Sequence, residues 1–126
     1  HTLINGMNVF SFAISRPPKS VEKFLTDYKI NRDTDIDYFL IHQANKMIVD
    51  RIVKKLKLPQ EKVPYNLEEF GNLGGASIPS LMVTRLRKQL MSKETTLLMS
   101  SFGLGLTWGT MWMKTKPMVM PDIIGI

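Results

Sequence analysis

His42 is followed at once by two carboxamides in the run HQAN at 42–45, and the only other histidine stands at position 1. A neutral imidazole and a carboxamide can each donate a hydrogen bond to an oxygen that gains negative charge. Fixed donors of this kind are usually the largest single contribution to catalysis, about 2.7–4 kcal/mol each. A further carboxamide, Asn72, lies 72 − 42 = 30 positions on, inside the glycine-rich stretch GNLGGASIPS at 71–80. A third stretch, SSFGLGLTWGTMW at 100–112, carries Gly103, Leu104 and Gly105. Glycine lets a backbone approach a ligand closely, so these N–H groups form a second candidate oxyanion pocket. Each signal taken singly has a plainer explanation. A lone histidine at a strand end is commonly structural, an asparagine beside glycine is a turn residue, and a glycine pair turns a hairpin.

The elements around these residues decide whether they can meet. Residues 37–41 read as a short buried strand that ends at His42. Residues 45–56 read as a helix, because Ile48, Val49, Ile52, Val53 and Leu56 fall within one arc of about 140° at the helical period. Lys46, Asp50, Arg51, Lys54, Lys55 and Lys57 fill the other side, where Met47 also lies, and Pro59 stops the helix. Residues 63–66 are a strand candidate. Ser77-Ile78-Pro79 opens a helix carrying Leu81, Met82, Arg85, Leu86 and Leu90, with proline where its missing N–H costs nothing. Residues 95–101 and 106–113 read as two strands of a hairpin. Near the N-terminus, Phe10, Ala13 and Ile14 have helical spacing that Pro17 and Pro18 interrupt, and Ser20 is the expected cap of a helix burying Val21, Phe24, Leu25 and Tyr28. Alternating helices and strands of this kind imply an α/β sheet with parallel strands and one antiparallel hairpin. Sites in such sheets lie where strands end, which is where His42, Asn72 and the 102–105 turn all fall.

Composition narrows the classes. With 126 residues the chain makes one domain at most, and its 44% apolar content suffices for a core. The 19-residue uncharged stretch at 95–113 has the length of a membrane span, but its glycines, serines and threonines suit a hairpin better. No cysteine is present, which removes disulfides, thiolate metal sites and a cysteine nucleophile from this chain. The net charge of +6 is spread along the sequence without interleaved aromatics, so an acidic protein partner is the better expectation than nucleic acid.

HQAN, GNLGGASIPS and SSFGLGLTWGTMW, in that order, together resemble the C-terminal half of β-ketoacyl-acyl-carrier-protein synthase III, a condensing enzyme of the thiolase fold. The lead-in LINGMNVFSFAI at 3–14 is similar to the family's segment ahead of this region, so the likeness runs over residues 3–113. The resemblance implies a mixed sheet of about four strands with an antiparallel C-terminal hairpin, packed by three helices. It implies that residues 1–126 are the C-terminal domain of a longer enzyme, the half carrying the nucleophilic cysteine being absent, so that this piece alone is inactive. His42 and Asn72 take the places of the family's catalytic histidine and asparagine. They would stabilise the enolate formed when malonyl-carrier protein loses CO2, ahead of condensation with an acyl group taken from acyl-CoA. The Leu104 N–H matches the family's oxyanion hole. Asn45, Phe102, Gly103 and Gly105 would line the pantetheine path, and Lys46, Arg51 and Lys54 would dock the acyl carrier protein. No cofactor, metal, nucleic acid or membrane is implied, and the complete enzyme is expected to be a cytoplasmic homodimer of fatty acid biosynthesis.

Four positions depart from the family pattern. Leu73 and Gly74 stand where the family has Thr and Ser after its asparagine, Met47 where it often has arginine, and Leu104 where the turn has a smaller residue. A specialised acyl substrate would be consistent with these changes. A related acyltransferase of secondary-metabolite or capsule biosynthesis, or a non-catalytic carrier-protein binding module, are the alternative readings.

Overall fold

The computed structural model describes residues 6–124. Residues 3–5 of the lead-in lie outside this range. Three strands form one sheet in the order β1 (Tyr38–Ile41), β2 (Thr95–Gly103), β3 (Thr107–Thr115). β1 runs parallel to β2, with Tyr38 opposite Leu97 and Ile41 opposite Ser100, and β2 pairs antiparallel with β3 through a turn at 104–106. The hairpin and the parallel pair are as the sequence implies.

Side chains alternate across the two faces of a strand, and two hydrophobic clusters follow from that alternation. Phe39, Ile41, Leu98 and Phe102 pack with α1 (Gly6–Ala13), α2 (Arg16–Asp27) and α3 (Lys46–Leu56). Leu40, Leu97 and Met99 pack with Leu81 of α5 (Ser77–Thr84) and Leu90 of α6 (Arg87–Ser92). A short α4 (Leu67–Phe70) precedes the glycine-rich loop. β3 is less covered: Trp108, Met111 and Trp112 remain 46%, 58% and 42% exposed.

α3 shows how its residues set its limits. Asn45 is the N-cap, its Oδ1 accepting from the Ile48 N–H at 2.8 Å. Ile48, Val49, Ile52, Val53 and Leu56 are all buried, at about 1.5–3 kcal/mol for each side chain removed from water. Lys57 then takes a left-handed conformation at φ 51°, and Lys54 and Lys55 lie in the last turn, where positive charge suits the helix dipole.

Several expectations need correction. The described residues contain three strands, not about four, and six α-helices rather than three. Residues 63–66 join no ladder; Pro64 deprives that stretch of a donor. The second helix starts at Arg16, not after Ser20. Its two prolines occupy the first turn, where no intrahelical donor is needed, and Ser20 instead bonds Thr110 of β3 at 2.9 Å. The helix after Ser77 breaks between Thr84 and Arg87. The Ser80 and Thr84 hydroxyls bond back to the carbonyls of Ser77 and Ser80, a pattern that bends helices.

Candidate active site

His42 extends β1 by one hydrogen bond, its N–H donating to the Ser100 carbonyl at 2.9 Å. The ladder therefore fixes its Cα. Its ring is buried and meets Phe102 edge to face, with centroids 5.0 Å apart. Burial disfavours the charged imidazolium and pulls the His42 pKa below its ordinary value of 6.5. Nδ1 is enclosed without a partner among the described residues, which leaves Nε2 as the nitrogen open to the cleft.

Asn72 is held differently. It is exposed, on the loop between α4 and α5, with Gly71 at φ 63° and Gly74 at φ 55° on either side of it. Both angles belong to the left-handed region that glycine adopts without strain. The Asn72 Oδ1 accepts from the Gly74 N–H at 2.9 Å, closing an Asx turn. With its oxygen occupied, the end of the amide left for a ligand is the NH2, a donor. Leu73 and Gly74, the two residues whose hydroxyls are missing, do not leave Asn72 loose, because a main-chain N–H does the orienting.

Both side chains line one cleft of about 700 Å³, within the size range of small-molecule sites. Phe102, Gly103 and Leu104 form part of its wall, and Val9, Phe12, Leu106 and Trp108 make it largely apolar. The strand-end rule thus brings together His42, Asn72 and the 102–104 segment. Gly105 is not among the lining residues, and Asn45 faces a neighbouring cleft of about 490 Å³ that shares Ala44 and Asn72 with the first. The Asn45 oxygen is committed to capping α3.

Lys46, Arg51 and Lys54 are exposed on the outer side of α3, as is Met47. Lys46 pairs with Asp50 at 2.9 Å and lies 5.6 Å from the centre of the Tyr65 ring. Such surface pairs add little to stability.

Sequence reasoning passed over three contributors. Phe12 and Trp108 pack edge to face, centroids 5.5 Å apart, and bring α1 and β3 together at the cleft wall. Gln43 is fully buried between the two loops. Its amide beside His42 was the available signal, but its partner lies 23 residues away and no local pattern points to it.

Known proteins bear on this geometry. Residues 29–115 match the family described as 3-oxoacyl-[acyl-carrier-protein (ACP)] synthase III C terminal. The beta-ketoacyl-[acyl-carrier-protein] synthase III of Microcystis aeruginosa is 44% identical over 107 residues, covering 84% of this chain and 32% of that protein. A solved 3-oxoacyl-(acyl-carrier protein) synthase from Burkholderia xenovorans superposes with a TM-score of 0.89 at 35% identity, over 95% of this chain and 34% of that one. The synthase III structure from Pseudomonas aeruginosa gives a TM-score of 0.81 at 31% identity, over 94% of this chain and 37% of that one. The chain spans about a third of the length of the relatives it matches. By fold, by the ordered motifs and by the match over 29–115, this chain belongs to the C-terminal family of 3-oxoacyl-[acyl-carrier-protein] synthase III.

Proposed function

We propose that this chain supplies the decarboxylation half of a Claisen-type condensing site, with His42 and Asn72 as the two donors that stabilise an enolate. The observation that carries the reading is their chemistry within one cleft. The Asn72 amide has its oxygen tied to Gly74, and the buried His42 stays neutral at neutral pH. A neutral imidazole protonated on Nε2 and an amide NH2 both present N–H to the same space.

In the proposed reaction a malonyl thioester enters with its thioester carbonyl oxygen toward these N–H groups. The bond to the carboxylate carbon breaks, CO2 leaves, and the electron pair moves onto that oxygen as the enolate. The two donors stabilise the growing charge more than the ground state, which is what lowers a barrier. The enolate carbon then attacks an acyl thioester held on a cysteine outside this chain. The resulting tetrahedral oxyanion faces the Leu104 N–H, and collapse expels the cysteine thiolate and leaves a 3-oxoacyl product. Phe102 keeps water from His42. The chain alone, without a cysteine, carries out no acyl transfer. The same reading assigns acyl-CoA as donor and an acidic acyl carrier protein as partner on Lys46, Arg51 and Lys54. On family likeness it also takes a cytoplasmic homodimer.

The test separates half-reactions in the complete enzyme that contains this chain. His42→Ala and Asn72→Ala should each slow malonyl decarboxylation by about 10²–10³-fold while sparing acylation of the cysteine by acyl-CoA. Equal loss of both half-reactions would remove the assigned roles.

A further inference from the structure

His42 and Asn72 sit on loops that do not touch through their own main-chain ladders, yet their side chains must keep one spacing. A buried path joins the two loops. Gln43, fully buried, donates from Nε2 to the Ile41 carbonyl at 2.8 Å and accepts on Oε1 from the Asn66 N–H at 3.4 Å. Asn66, 2% exposed, then holds both ends of the Asn72 loop. Its carbonyl accepts from the Phe70 N–H at 3.0 Å and so starts α4, which runs directly into Gly71 and Asn72. Its Nδ2 donates to the hydroxyls of Ser80 at 3.0 Å and Thr84 at 3.2 Å, on the helix that leaves the loop. Those hydroxyls spend their own protons on the Ser77 and Ser80 carbonyls, so they are free to accept. The Asn66 Oδ1, meanwhile, is enclosed without a partner among the described residues. A residue that only filled space would avoid that cost.

From this path, and on the assignment of His42 and Asn72 made above, we infer that Gln43 and Asn66 are a positioning pair that sets the separation of the two donors. Gln43 ties the strand end beside His42, and Asn66 clamps α4 and α5, between which Asn72 hangs. Neither residue is among those lining the cleft with His42, so both act through the two donors. Small misplacements of reacting groups have large kinetic consequences, which gives a buried amide relay of this kind its value.

The experiment is a double-mutant cycle in the complete enzyme. Gln43→Met keeps the side chain's length and removes both hydrogen bonds. It should slow malonyl decarboxylation by about tenfold to a hundredfold, leave acylation by acyl-CoA unchanged, and cost less than about twofold when Asn72→Ala is already present. Equal fold losses in the two backgrounds would overturn the inference, because a general packing role is additive. The pair Ser80→Ala and Thr84→Ala releases the same clamp from half-buried positions and should reproduce the pattern if Gln43→Met does not fold. A second readout is independent of the reaction. In Gln43→Met the NMR signals of the His42 imidazole and the Asn72 side-chain amide should both shift, and movement of His42 alone would contradict the relay. If Asn72→Ala leaves decarboxylation intact while both signals still shift, the functional reading fails and the positioning role stands.

Discussion

His42 and Asn72, the two polar side chains proposed as donors in the cleft, are held by opposite means. His42 is fixed by a buried strand, a ladder hydrogen bond and the Phe102 ring. Asn72 is exposed, on a glycine-rich loop, and its side chain is anchored on the Gly74 N–H two residues on. The difference follows from what each group needs. An imidazole must have its protonation state set, and burial does that by penalising charge. An amide has no proton equilibrium to tune; it needs only to be turned the right way round, and an Asx turn suffices. Rigidity is thus invested where electrostatics require it, and local turn chemistry serves where only orientation matters.

The largest effect is expected on the buried side. Phe102→Ala should destabilise the enzyme by about 3–5 kcal/mol, as large aromatic truncations in cores do. It should also let water reach His42 and raise the imidazole pKa back toward 6.5, read from NMR titration. The sign for stability follows from linkage. Folding depresses the His42 pKa, so the unfolded chain binds the proton more readily. The wild-type contribution is therefore present above about pH 6.5 and lost as pH falls through the depressed value, and thermal unfolding against pH should show that loss shrink in the variant. An unchanged titration would mean that Phe102 does not shield His42.

On the exposed side the effect is smaller. Gly74 is at φ 55° with open space where a Cβ would sit, so Gly74→Ala meets strain but no clash. The cost in unfolding free energy should be about 1–2 kcal/mol, with a drop in decarboxylation and no change in acylation. An acylation defect of equal size would show that the loop serves more than Asn72.

The smallest structural effect is expected on α3. Replacing Lys46, Arg51 and Lys54 together by glutamate should change stability by no more than about 0.5 kcal/mol, since these side chains are exposed. The gain at the first turn and the loss at the last turn also oppose each other through the helix dipole. The concentration of malonyl-carrier protein needed for half-maximal rate should nevertheless rise several-fold at low salt and converge with wild type as salt increases. A curve unmoved at low salt would place docking elsewhere.

What the sequence disclosed divides along the same line. α3 was legible because its apolar spacing and Pro59 agree, and β1 because an apolar run stops abruptly at polar residues. The hairpin followed from glycines between two apolar stretches. The meeting of His42, Asn72 and the 102–104 segment was legible as a strand-end constellation. The direction of the Asn72 amide was not, since it depends on a left-handed glycine that composition does not announce. The link from Gln43 to Asn66 was hidden for a different reason: it is a tertiary contact between loops, with no periodicity to mark it. Residues 63–66 misled because two of the four are strand-like, while Pro64 and the role of Asn66 at the head of α4 win in the folded chain.

The central claim is that Asn72 acts through its NH2 group, and Asn72→Asp in the complete enzyme tests it most directly. Aspartate is isosteric and keeps an oxygen for the Gly74 N–H, so the turn survives, but the second atom becomes an acceptor with negative charge. Malonyl decarboxylation, followed as CO2 release, should fall at least as far as in Asn72→Ala, with acylation by acyl-CoA unaffected. Decarboxylation by Asn72→Asp near the wild-type rate would contradict the account, because the enolate would then have no use for a donor at that position.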